Sequence, residues 1–153
     1  MEKVSLKLFE FYNLEAELSG LTNQQTGQVI SKGLLNEKIK LTTKYWLTDL
    51  LKKVVEEKKS VDLLREDLIK KFGETDESGN TSIPIYSKVE KDEEGKIILA
   101  EPNPKYVEFQ TEFNNLLQEE KELEYKSLSL EDLDSVESEG NYPTLFKLVK
   151  IDE

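Results

Sequence analysis

The sequence predicts an α+β fold, mainly helical: an antiparallel αα-hairpin, a β-hairpin inserted between its two long helices, and a C-terminal strand. Three observations predict it. Two stretches, residues 42–72 and 104–125, carry apolar side chains at three- and four-residue steps, as one buried helix face requires. Between them lie two turn clusters, TDESGN and KDEEGK, each bordered by β-forming residues. Further on, TLFKLVKI at 144–151 reads as a last strand. The 153 residues are taken as one domain. It divides into an N-terminal helix and connector (1–41), the helical hairpin (42–125) with its β insert (81–101), and an acidic segment (126–153).

The first element, SLKLFEFYNLEAELSG, has Ser5 to cap a helix and Gly20 to end one. Val4, Leu6 and Leu8 also alternate as in a strand; the helical spacing of Leu8, Phe11 and Leu18 favours a helix over 5–18. TNQQTGQ is a polar loop, and VISKGLLNEKIKL a connector interrupted by Gly33. The long helix follows, with Thr42 or Thr43 as N-cap and Gly73 as stop. Its stripe runs through Leu47, Leu50, Val54, Val61, Leu64, Leu68 and Phe72, with Lys58 thinning burial midway. Thirty residues of helix span about 45 Å, so a second element must lie along it. The helix opened by Pro104, with Tyr106, Phe109, Phe113, Leu116 and Lys121 in step, supplies that element. Ser129 is expected to cap a short helical turn in SLEDL, and DSVESEG to be an acidic loop.

Charged residues make up 35% of the chain and apolar ones 37%, enough for a core. There is no histidine and no cysteine. The chain therefore has no thiol nucleophile, no imidazole base and no thiolate or imidazole metal ligand. With no apolar run of membrane length, a soluble intracellular product is expected. Residues 1–72 hold 13 Lys/Arg against 11 Asp/Glu, and residues 73–153 hold 8 against 21, or +2 and −13 within a net −11. So acidic a half is not expected to meet nucleic acid or an anionic membrane; it suits solvent or a basic partner.

Two constellations are candidate sites. EKDEEGKIILAE places Glu90, Asp92, Glu94 and Glu101 at positions 1, 3, 5 and 12 of an EF-hand-like spacing, with Gly95 at 6. The long glutamates and the β-rich flanks favour a hairpin turn, with Gly95 at positive φ, over a calcium loop. TDESGN is a turn, since the corresponding twelfth position is Ile85. Tyr45 and Trp46 are a possible partner contact, although a lone tryptophan is more often core. No phosphate loop, nucleophile elbow or zinc pattern occurs, and neither an enzyme nor a cofactor is expected.

The stretch LTDLLKKVVEEKKSVDLLREDLIKKFGETDESGN, followed by YVEFQTEFNNLLQEEKELEYKSLSLEDL, resembles a group of small tailed-bacteriophage proteins. These share a long helix ending KK[YF]GxxDExGN, a second helix with FxxExxxLL, and a short LxLxDL. The resemblance spans roughly 42–133; the β insert is longer than the usual connector of the group, and the first 40 residues are not clearly shared. It implies a phage protein whose genes lie among virion or tail genes, and no particular activity. The function expected is a non-catalytic virion component of head, portal, collar or tail, contacting other virion proteins in multiple copies. It would reside in the virion, and in host cytoplasm during assembly. The alternative is a non-structural phage protein binding a basic host factor.

Overall fold

A computed structural model describes residues 1–136 and 142–150. In chain order they form β1 (Glu2–Lys7), α1 (Leu8–Ser19), β2 (Leu21–Thr22), β3 (Val29–Ser31), a 3-10 turn (Leu34–Asn36) and α2 (Leu41–Phe72). Next come β4 (Glu74–Thr75), β5 (Thr81–Ser82), β6 (Tyr86–Lys91), β7 (Ile97–Pro102) and α3 (Pro104–Leu117). The chain closes with β8 (Glu120–Tyr125), β9 (Leu128–Ser129), a second 3-10 turn (Glu131–Leu133), α4 (Pro143–Phe146) and β10 (Val149–Lys150). The fold is α+β, with its strands in two-stranded ladders. Contacts divide it into two compact units, residues 1–59 with 119–153, and residues 60–118. Among the described residues no helix is long and apolar enough to cross a membrane.

In the first unit the N-terminal segment realises both of its patterns. Residues 2–7 form β1, antiparallel to β8 with Val4 opposite Leu123 and Leu6 opposite Lys121. The helix expected over 5–18 therefore starts later, at Leu8, and Ser5 is not its cap. Lys7 holds that position without a side-chain bond. The ladder supplies partners for the backbone of 2–7 and buries Leu6 and Leu123, which a helix there would not. Gly20 does end α1, its N–H donating to the Ala16 carbonyl at 2.8 Å.

β8 corrects a second expectation, since the second long helix was to run to 125 and stops at Leu117. In EKELEY the glutamates 120, 122 and 124 alternate with Lys121, Leu123 and Tyr125, a period of two that places Leu123 inside and the acids outside. Lys53 Nζ donates to the Glu124 carbonyl at 3.0 Å, and Lys3 pairs with Glu122 at 3.1 Å.

The buried stripe of α2 within this unit is Thr43, Leu47, Leu50 and Val54. Thr42 and Thr43 lie inside the first turn rather than capping it, because the helix begins at Leu41. Lys58, where burial was expected to thin, lays its ammonium 5.0 Å from the Tyr12 ring centre and pairs with Glu15. With Leu8, Phe11, Leu14, Leu18, Leu34, Leu128, Leu145 and Leu148, the stripe makes the core.

The strand expected over 144–151 begins instead as a helical turn. α4 takes 143–146, and only β10 pairs, in parallel, with β9. Carboxylates on α1 explain the difference. Glu17, itself buried, accepts the Thr144 and Leu145 N–H groups at 2.8 and 3.3 Å, which satisfies the start of α4. Glu10 takes the Lys147 ammonium through both oxygens at 2.9 and 3.0 Å. Buried Glu37 accepts from the Tyr142 hydroxyl at 3.2 Å. From 137 onward the expected acidic loop at 134–140 lies outside the described residues, as does Ile151.

The second unit buries two large apolar side chains among its described residues, Val61 and Phe109. Leu64, expected in the stripe, is 48% exposed, and Leu63 is more so. Arg65 lies 6.0 Å from the ring centres of both Phe109 and Phe113, and Lys71 pairs with Glu112 at 3.6 Å, so α3 runs beside this part of α2. As expected, Pro104 opens α3; Asn103 caps it by accepting the Lys105 N–H. The insert is two hairpins rather than one, β4–β5 and then β6–β7.

Candidate contact sites

Both insert hairpins turn on the same side-chain device. Asp92 Oδ1 accepts the N–H groups of Glu94 and Lys96 at 3.0 and 2.8 Å, while Gly95, at φ 84°, donates to the Asp92 carbonyl. Asp76 does the same for Ser78 and Asn80. Asn23 does it with a neutral amide for Gln25 and Thr26 in the β2–β3 turn. The turn thus asks for a short side-chain acceptor, whether or not it is charged. The candidate calcium ligands do not converge. Glu90 sits opposite Leu99 and pairs with Lys88 at 3.1 Å, and Glu101 sits opposite Lys88 across the ladder. Among the described residues no group of three possible metal-ligating side chains is present.

Tyr45 and Trp46 are surface residues; the core reading of Trp46 is corrected by its 37% exposure, and Tyr45 is at 64%. At 100° per residue, position 46 falls on the flank of the stripe defined by 43, 47, 50 and 54. The two rings meet edge to face, 5.1 Å between centres. Trp46 borders a cleft of about 200 Å³ with Thr42, Thr43, Lys126, Ser127, Leu128 and Asp132. That is below the roughly 300 Å³ at which small-molecule sites begin, and suits a single inserted side chain.

Asp132 fixes one wall of the cleft. Its Oδ2 accepts the Ser129 N–H at 2.9 Å and its own N–H donates to Ser129 Oγ at 3.2 Å, a reciprocal capping pair. The Ser129 N–H holds its carboxyl below the usual carboxylate range against the opposing effect of partial burial, helped by the Ser129 hydroxyl, Lys40 and the Thr43 hydroxyl. A depressed folded value means stability present at neutral pH and lost as pH falls through that value. Asp132→Asn should therefore destabilise by about 1 kcal/mol at pH 7, with the difference from the parent closing below about pH 4. Urea denaturation at a series of pH values measures this.

Sequence reasoning passed over two features. The buried carboxylates of Glu17 and Glu37 are one: each takes a partner more than 100 residues away, and only Glu37 has a local one as well, Lys32 at 3.5 Å. The other is how many apolar side chains the exposed strand-forming segments display: Ile85 before β6, and Tyr86, Val89, Ile97, Ile98 and Leu99 on β6–β7, are all exposed. The clustering of β-formers in SIPIYSKVE and KIILAE was the available signal.

No family model, no curated protein and no solved structure matches this chain.

Proposed function

We propose that this chain is a non-catalytic phage protein acting through protein–protein contacts, as a structural or accessory component of the virion in its head, portal, collar or tail. The observation that carries the reading is the β6–β7 arm, where Ile98, Ile97 and Ile85 are 68%, 58% and 55% exposed. A clustered apolar display of this kind marks an interaction surface, and a two-stranded hairpin is marginal in water until something covers it. Free strand edges add readily to a partner's sheet. In this reading the end of α2 and α3, side by side through the Arg65 and Lys71 contacts, serve as the frame of the arm. Tyr45 and Trp46 offer a second contact. The partners are other virion proteins in multiple copies, met in the host cytoplasm during assembly. The resemblance of residues 42–133 to the small tailed-phage group is what favours a particle as the setting of these contacts. Mass spectrometry of purified particles should detect the chain; its absence from clean particles overturns the reading.

The charge of −13 over residues 73–153 favours one other reading, a non-structural phage protein that docks on a basic host factor. That reading requires expression before the head genes and absence from particles.

A further inference from the structure

Among the described residues β6 pairs with β7 on one side and with no strand on the other. Its regular run is short. Lys88, Val89 and Glu90 face Glu101, Ala100 and Leu99, with a register shift at each end. An antiparallel pair of identical strands related by a two-fold axis at Val89 sets Val89 against Val89 and Lys88 against Glu90 twice over. Centring the axis on Lys88 or on Glu90 would instead oppose like charges. The three residues thus specify one register, since opposite charges across a ladder stabilise it and like charges weaken it. Edge lysines ordinarily discourage such pairing, but here the glutamate two residues on provides their complement. Lys88 and Glu90 form an ion pair with both side chains about half exposed, so each is free to exchange partners. The β7 edge is less suited, because Pro102 has no N–H and the ladder is irregular around Ile98.

We infer that β6 is a self-complementary edge through which two copies of this chain join antiparallel, making a four-stranded sheet ordered β7–β6–β6–β7. One face then carries the unbroken apolar row Ala100, Val89, Val89, Ala100. Two marginal hairpins become one sheet of a size that is stable in water. The inference goes beyond the virion reading and does not depend on it, since a copy-to-copy contact would serve a protein of either proposed role.

Sedimentation equilibrium of the full chain over a concentration series tests it. The parent should dimerise reversibly. Lys88→Glu and Glu90→Lys, each placing like charges opposite one another twice, should each weaken self-association about tenfold or more. An equimolar mixture of the two variants should recover dimers, because an all-acidic edge then meets an all-basic one, and recovery should fade in high salt. A parent that stays monomeric at every concentration overturns the inference. Variants that dimerise as well as the parent do the same. So does a mixture that recovers nothing, which is the outcome if the substitutions had merely disordered the hairpin. Particle mass spectrometry is independent of each of these results.

Discussion

Phe11→Ala should lower stability by about 3–5 kcal/mol, the cost of deleting a fully enclosed aromatic ring and leaving a cavity behind. Phe11 is 2% exposed on α1, and its neighbours on the same face, Leu14 and Leu18, are fully enclosed. Core packing does not relax far enough to fill such a space. Leu64→Ala is the informative comparison. Read from the sequence it belongs to the long apolar stripe and should cost nearly as much, yet at 48% exposure it should cost less than about 1 kcal/mol. Urea denaturation of both variants by circular dichroism separates the two expectations. Equal losses would mean that the stripe stays buried past Val61.

Gly33→Ala should be at least as damaging relative to the size of the change, at about 3 kcal/mol or more. Gly33 has φ 83° and ψ 140°, a backbone conformation costly for any L side chain. The space is also taken, because an added Cβ would overlap the backbone of Leu18, Ser19 and Gly20. Gly20 stands in the matching position, its own added Cβ meeting the carbonyl oxygens of Ser31 and Lys32. The end of α1 and the connector after β3 thus pass backbone against backbone, and neither can yield by moving a side chain. Gly95→Ala isolates the conformational part. It has φ 84° but nothing within 4 Å of an added Cβ, so the loss should be about 1 kcal/mol. Thermal melts of the two variants check the difference; similar shifts would show that the close approach contributes nothing.

What could be read in advance was what neighbouring residues decide. Asn103 and Pro104 begin α3 by a cap and a preset φ, both local. Ser129 and Asp132 close their turn on each other, three residues apart. Asp92 and Gly95 build the hairpin turn that the sequence favoured over a metal loop, and its bonds are local: Asp92 Oδ1 accepts two backbone N–H groups within four residues. The first half of the long stripe followed from its period.

The misread elements are those whose partners lie far along the chain. EKELEY satisfies helical and strand patterns alike, and β1, more than 110 residues earlier, settles it as a strand. TLFKLVKI turns helical at its start because Glu17, over 120 residues away, receives its first N–H groups. Trp46 and Leu64 lie at positions a stripe alone cannot place, since a stripe fixes which residues share a face and not how much of that face is covered. The sequence by itself therefore determined the turns, the start of α3, the first half of the long helix's stripe, the acidic half and the β-forming insert, all set within a few residues or by composition. Only the tertiary structure decided which ambiguous segments became strands, which carboxylates were buried and which apolar side chains stayed in water, because those follow from the surroundings each segment meets after the chain closes on itself.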